Sequence, residues 1–211
     1  MTRFFIVISF LCCGVCRAQT TWVLKKNCDG IKIYAGSVEG SDVKSVKLEC
    51  ILDASLPQLC ALLLDASAHH KWIYCTEKSH PVKQLAENEQ IYYSEMDMPF
   101  PISNRDIVVH IKLSINPLTR VLTVNGEAVE GYVPLKEDLV RVKMSKIKWT
   151  VTPMGADRLH VSYIANVDPA GKLPAWIVNM FITRGPYETF KNVKKLVQAP
   201  EYKNKKFGFL I

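Results

Sequence analysis

The most regular pattern of apolar positions lies near the C-terminal end of the chain, between Asp168 and Val197, where apolar side chains recur at spacings near three and four. This spacing places them on one face of a helix. Pro174 suits the first turn of that helix, where no backbone N–H is needed. Pro186 predicts a bend, because it cannot donate to the carbonyl four residues earlier. The pattern therefore predicts one long helix with a wide apolar face that consists of Leu173, Trp176, Ile177, Met180, Phe181, Tyr187, Phe190, Val193 and Leu196.

Upstream of this helix, about ninety residues alternate between apolar and polar side chains, which is the pattern of half-buried strands. We predict strands near residues 31–34, 43–52, 77–85, 90–96, 106–115, 121–129, 139–152 and 158–167. The separators are short, so neighbouring strands are expected to form an antiparallel meander. Helical segments are predicted at 56–65 and, as a further turn, at 67–72. Residues 20–26 fit either a short helix or an extended segment.

The predicted strand at 139–152 changes its apolar phase. Val140, Val142 and Met144 occupy even positions, whereas Ile147, Trp149 and Val151 occupy odd ones. A change of phase by one residue is the effect of a β-bulge, and bulges bend sheets. A bent antiparallel sheet followed by one amphipathic helix predicts an α+β domain in which the sheet curls around the helix, because an apolar sheet face needs a cover.

Residues 1–18 have the pattern of a signal peptide, with Arg3 near the start, an apolar run from Phe4 to Val15, and small residues at Cys16 and Ala18. The run is shorter than a spanning helix needs. We therefore predict an exported protein, periplasmic or secreted, with a single domain at residues 19–211.

The chain has 27 Lys and Arg against 20 Asp and Glu, a formal net charge of +7. Part of the excess gathers late, at Lys191, Lys194 and Lys195. These lysines form either a solvated face or a surface that docks transiently on a membrane through anionic lipid headgroups. No recognition motif and no interleaving of basic and aromatic residues favours nucleic acid as a partner.

The sequence contains no catalytic motif, and no two of its cysteines beyond residue 18 have the spacing of a zinc site. Beyond the predicted signal peptide, Cys50 and Cys60 have the pattern of small buried side chains, whereas Cys28 and Cys75 are candidates for a disulfide. No cofactor and no metal is therefore expected.

The strongest candidates for functional-site residues are the histidines and the adjacent pair Arg105 and Asp106. His69 and His70 are expected to be exposed, since no third metal ligand lies at a suitable spacing. His110 and His160 fall within predicted strands and face either a cavity or solvent. Adjacent strand residues point to opposite faces, so Arg105 and Asp106 are expected to have a structural role at a loop-to-strand corner or to bind a headgroup, rather than to share a pocket.

Four motifs resemble the START domain, the steroidogenic-acute-regulatory-related lipid-transfer family of the helix-grip superfamily. The segment from Pro99 to Val108, PFPISNRDIV, is similar to the family's Pro-x-x-x-(Ser/Asn)-Arg-Asp segment. The segment from Val167 to Asn179, VDPAGKLPAWIVN, is similar to the start of its final helix. Trp22 followed by GIKIY at 30–34, and Asp65 followed by Trp72, match its opening segments in the same order. Together they cover nearly all of residues 19–211, and the chain resembles an exported, bacterial-type, single-domain member.

The resemblance implies a helix-grip (START/Bet v 1-like) fold whose final helix closes a hydrophobic tunnel around one lipid. It implies a non-enzymatic monomer that carries a lipid between membranes, gated by the final helix and by the loop that contains Pro117 and Leu118. Periodicity alone is equally consistent with a filled core, and two alternatives are a helix-grip enzyme of the cyclase or aromatase kind and an interaction module without a cavity. The residues expected to line the tunnel are Val109, Ile111, Val142, Met144, Trp149, Tyr163, Trp176, Ile177, Met180 and Phe181.

Overall fold

The computed structural model describes residues 21–37, 44–168 and 173–210. The predicted signal peptide, residues 1–18, lies outside this part of the chain. No helix within the described ranges is long and apolar enough to cross a membrane.

Within the described ranges, ten strands, β1 to β10 in chain order, form one sheet. Nine of them follow the order β1-β2-β3-β10-β9-β7-β6-β5-β4, and β8 pairs with β6 alone. The ladders along this order are antiparallel, as the short separators predicted. Of the segment at 20–26, for which the sequence fitted either a short helix or an extended segment, the described residues 21–26 belong to the edge strand β1. The strands are β1 Thr21–Cys28, β2 Ile31–Ser37, β3 Lys44–Leu52, β4 Thr76–Ala86, β5 Glu89–Met96, β6 Arg105–Ile115, β7 Leu122–Ala128, β8 Val140–Arg141, β9 Met144–Pro153 and β10 Leu159–Asp168.

The prediction of one bulged strand at 139–152 is wrong. Val140–Arg141 pairs in parallel with the start of β6, whereas Met144–Pro153 pairs with β7 and β10 without a shift of register. The apolar phase changes because the chain leaves one strand partner and joins two others, so no extra residue needs to be inserted into a continuous ladder.

The connection between β3 and β4 is helical. Helix α1 spans Leu56–Leu64, and the side chain of Gln58 accepts a hydrogen bond from the Ser55 backbone N–H at 2.9 Å. This bond satisfies one of the N–H groups that a helix start leaves free. A 3₁₀ helix follows at Ala66–Lys71 and packs on β4.

The C-terminal helix is interrupted where Pro186 predicted an irregularity. Helix α2, Ala175–Asn179, leads into a π turn at Met180–Arg184, and helix α3 follows at Gly185–Leu196. The Gly185 N–H donates to the Met180 carbonyl, five residues back. Pro186 has no N–H to continue the regular pattern, and the wider turn accommodates that loss.

The core lies between the concave face of the sheet and these helices. Phe190 of α3 stacks on Trp149 of β9 with ring centroids 4.7 Å apart, and lies 5.3 Å from the Tyr163 ring of β10. Burying a side chain of this size contributes about 1.5–3 kcal/mol. These three rings fix α3 against the middle of the sheet, whereas the π turn contacts β2 and β3.

The four cysteines beyond residue 18 are all free thiols. The candidate disulfide between Cys28 and Cys75 is therefore not formed in this structure, whereas Cys50 and Cys60 are buried, as predicted. Burial raises the pKa of both buried thiols to about 12, so they remain protonated and inert.

Candidate functional site

A cavity of about 440 Å³ lies between the sheet and the C-terminal helix. Its volume is within the range of about 300–1,000 Å³ that is typical of small-molecule sites. One wall consists of cavity-facing residues of β5, β6, β9 and β10, and the other of the π turn and the start of α3. Most of these side chains are apolar, so the arrangement suits a hydrophobic ligand.

Seven of the ten residues predicted to line a tunnel line this cavity, namely Val109, Ile111, Val142, Trp149, Tyr163, Met180 and Phe181. The other three lie elsewhere. Met144 is half-buried at the start of β9, and Ile177 is buried in a separate cluster with Met98 and Met180. Trp176 is 48% exposed.

A surface cleft of about 470 Å³ adjoins the cavity. Trp176, Asp97 and Arg184 are among its lining residues, and it shares a neck of four residues with the cavity: Tyr74, Cys75, Met98 and Met180. Methionine is unbranched and adapts its shape easily. Met98 and Met180 therefore make the neck a deformable part of the wall between the cavity and the cleft.

The loop predicted as a gate lies at the opposite end of β6 from this neck. Asn116 Oδ1 accepts hydrogen bonds from the backbone N–H groups of Leu118, at 2.9 Å, and Thr119, at 3.0 Å. Leu118 is 92% exposed, and neither Pro117 nor Leu118 is among the residues that line the cavity. A gating role for this loop stays a prediction.

Arg105 and Asp106 point to opposite faces of β6. Asp106 is buried on the outer face and accepts two hydrogen bonds from Arg141, at 2.7 and 2.8 Å, and one from the Tyr93 hydroxyl at 3.0 Å. The bond to Asp106 raises the pKa of Arg141. Arg105 lines the cavity, and one of its terminal nitrogens donates to the Ser103 carbonyl.

The prediction that His69 is exposed is wrong. It is buried, its ring lies 5.1 Å from that of Trp72 and 4.5 Å from that of Tyr92, and all three residues line the cavity. Burial lowers the pKa of His69 to about 4, so the ring is neutral at physiological pH. A 3₁₀ helix has three residues per turn, and the spacing of Ala66, His69 and Trp72 is the signal that would have indicated a shared buried face.

The other histidines do not contribute to this site. His70 is exposed, as predicted. His110 lies 2.7 Å from Glu89 on the outer face of the sheet, and neither it nor His160 lines the cavity. No group of three metal-binding side chains occurs in the described ranges.

The late lysines have different surroundings. Lys194 donates to the backbone carbonyl of Asp29 at 2.9 Å and so ties α3 to the β1–β2 turn. Lys191 lies 5.9 Å from the centre of the Tyr187 ring, and both it and Lys195 are exposed. Docking on a membrane through these side chains stays a prediction.

Comparisons with known proteins find solved structures and sequences that are similar to this chain. A STAR-related lipid transfer protein fragment from Xanthomonas axonopodis superimposes with a TM-score of 0.77 and 31% identity, covering 84% of this chain and 99% of that one. The phosphatidylcholine transfer protein of Rattus norvegicus is 27% identical in an alignment of 193 positions that covers 84% of this chain and 84% of that protein. An uncharacterized protein of Pseudomonas aeruginosa is 28% identical over 183 residues, 84% of this chain and 87% of that protein.

The START domain family matches residues 12–203. This match, the curved antiparallel sheet and the C-terminal helix that covers it agree with the resemblance carried by the sequence motifs. The chain therefore belongs to the START domain family and has its helix-grip fold.

Proposed function

We propose that this protein binds one lipid in the cavity beneath its C-terminal helix and carries that lipid between membranes. The observation that supports the proposal most directly is the cavity of about 440 Å³, because a solid interior would leave no room for an acyl chain. The names of its relatives support the same function, since one similar protein is called a STAR-related lipid transfer protein and another a phosphatidylcholine transfer protein.

The energetics of such a carrier are favourable for exchange. Burying an acyl chain of about fifteen methylenes gains on the order of 12 kcal/mol relative to water. A bilayer provides nearly the same gain, so moving the chain between membrane and cavity is close to neutral. The protein is then required only to shield the chain during its passage through water.

We propose that the lipid passes through the neck between cleft and cavity. Met98 and Met180 form its flexible part, and the π turn allows the helix to shift locally. Phe100, 94% exposed, and Trp176 lie near this end of the sheet and offer apolar surface to a bilayer. The exposed Lys191 and Lys195 would add attraction to anionic headgroups.

The lining of the cavity gives less support to an enzyme. His110 and His160, two of the residues on which an enzymatic alternative depended, do not line it. Tyr163 does line it, but burial raises the pKa of its hydroxyl, which disfavours it as an acid or base near neutral pH.

The test is uptake of lipid by the delipidated protein, measured by native mass spectrometry after incubation with a mixed lipid extract. Ala165 of β10 lines the cavity, whereas its neighbour Ile164 points to the other face of the same strand. We expect the wild type and Ile164→Trp to take up one lipid each, and Ala165→Trp and Met180→Trp to take up none while remaining folded by circular dichroism. Wild-type protein that stays empty, or filled-cavity variants that load normally, would contradict the proposal.

A further inference from the structure

Four buried side-chain atoms have no hydrogen-bond partner within the described ranges: His69 Nδ1, Trp72 Nε1, Ser94 Oγ and Arg105 Nε. All four residues line the cavity, and each is between 1% and 5% exposed. Because buried polar groups in folded proteins are nearly always hydrogen-bonded, four unpartnered atoms around one cavity point to a ligand that supplies their partners.

The four residues form one continuous patch, although they are distant in sequence. The ring of His69 contacts both Trp72 and Tyr92. Tyr92 and Ser94 lie two residues apart on the same face of β5. Ser94 pairs with Ile107 of β6, so Arg105, two residues before Ile107, is its diagonal neighbour across the strands. The patch therefore runs from the 3₁₀ helix across β5 to the start of β6.

The donors and acceptors of this patch are fixed by their surroundings. His69 Nε2 lies 3.0 Å from the Leu63 carbonyl. A carbonyl oxygen only accepts, so Nε2 carries the proton and Nδ1 of the neutral ring is an acceptor. Trp72 Nε1 and Arg105 Nε can only donate, and the Ser94 hydroxyl can do either. A complementary ligand must therefore bring one donor for His69 and at least one oxygen acceptor for Trp72 and Arg105.

We propose that the cavity selects lipids whose head carries a free hydroxyl beside an ester or phosphate oxygen. The hydroxyl donates to His69 Nδ1, and the oxygen accepts from Trp72 and Arg105. An ammonium group would meet the positive charge of the Arg105 guanidinium in the patch. Asp168 is the one carboxylate among the described residues that line the cavity, and it already has an interaction of its own, so a hydroxyl suits this position better. This proposal rests on the lipid-binding function proposed above and specifies the class of lipid.

A lipid without a donor leaves His69 Nδ1 buried and unpaired. A choline head illustrates the difference, since its trimethylammonium has no N–H and its phosphodiester has no O–H at neutral pH. The cost of an unpaired buried acceptor corresponds to a preference on the order of tenfold to a hundredfold for the lipid that can donate.

Competition between matched lipids tests this selectivity. Delipidated protein is offered vesicles with equal amounts of dioleoylphosphatidylglycerol and dioleoylphosphatidylcholine, and separately a mixture of 1-oleoylglycerol and methyl oleate. The chains are identical within each pair, and the second pair is uncharged, so a preference common to both reports the hydroxyl rather than the charge. Native mass spectrometry should show the hydroxyl-bearing member in excess by about tenfold or more in each pair that loads.

A variant at His69 assigns the preference to the patch. We expect His69→Phe, which removes the acceptor and keeps a ring, to load lipid with a preference reduced by about tenfold. His110→Phe, on the outer face, should keep the wild-type preference. If the wild type loads both members of each pair equally, the selectivity is overturned and lipid binding is left intact. This outcome does not depend on the folding of any variant. Persistence of the full preference in His69→Phe would also overturn it, whereas protein that loads neither member of either pair would refute the lipid-binding function itself.

Discussion

Replacing His69 with glutamine should remove a large part of the acid sensitivity of this fold. The pKa of His69 falls from its ordinary 6.5 to about 4 in the folded protein. Burial is the main cause and outweighs the opposing effects of the hydrogen bond to Leu63 and of nearby Asp65. The unfolded chain therefore binds a proton at this residue at a pH where the folded chain does not, and folding becomes less favourable as the pH falls.

The size of the effect follows from the two pKa values. The contribution of His69 to stability is intact above pH 6.5, declines through the window between 6.5 and about 4, and is fully lost below it. The total loss is about 3 kcal/mol. Between pH 7.5 and pH 5 the same relation gives about 2 kcal/mol, which corresponds to a fall in melting temperature of about 4–8 °C for a domain of this size.

The measurement is urea denaturation and thermal melting of wild type, His69→Gln and His70→Gln at a series of pH values. Glutamine does not titrate, and its amide can still donate to the Leu63 carbonyl. His70 is adjacent and exposed, so His70→Gln should keep the wild-type slope of stability against pH. If His69→Gln loses as much stability as the wild type between pH 7.5 and 5, His69 is not a buried neutral histidine in the folded protein.

Two further substitutions test how the sheet is held together. Asp106→Asn removes the buried charge that balances Arg141 and should destabilise the protein by about 3–5 kcal/mol, measured as a lower urea midpoint with an unchanged slope. Asp97→Asn, at an exposed position, should have little effect. An unchanged midpoint for Asp106→Asn would show that Arg141 needs no buried partner. Gly126→Ala would place a Cβ 2.6 Å from Ile147 Cγ1 and should lower the free energy of unfolding by about 1–3 kcal/mol. Adding Ile147→Ala to this variant should restore much of the lost stability. If the two substitutions instead destabilise the protein additively, the clash is not the cause.

Local periodicity was enough to predict most of the sheet, because burial alternates along strands such as β7. The strand predicted at 90–96 is β5, Glu89–Met96, and that predicted at 106–115 is β6, Arg105–Ile115. The error at 139–152 arose because periodicity records which side chains face the core, but not which strand provides the hydrogen bonds. Val142 faces the cavity although it lies between β8 and β9, in no strand.

The cavity walls were predictable for the same reason, whereas the polar patch was not. Val109, Ile111 and Trp149 alternate with outward-facing residues, so their burial could be derived from sequence. His69 lies in a short 3₁₀ helix, whereas its ring neighbour Tyr92 and the Ser94 of the same patch come from β5, more than twenty residues later. Their proximity depends on the way α1 and the 3₁₀ helix pack against the sheet, which no local pattern encodes.

The division between apolar walls and a polar patch determines which part of the site can select a lipid. The acyl chain gains nearly the same free energy in a bilayer as in the cavity, so the apolar walls contribute little to the difference between one lipid and another. In contrast, leaving His69 Nδ1 without a donor costs about 1–3 kcal/mol, a factor of roughly 5–150 in the loading ratio. On the proposed function, the apolar walls make uptake possible, and the few polar atoms on them decide which head group is taken up.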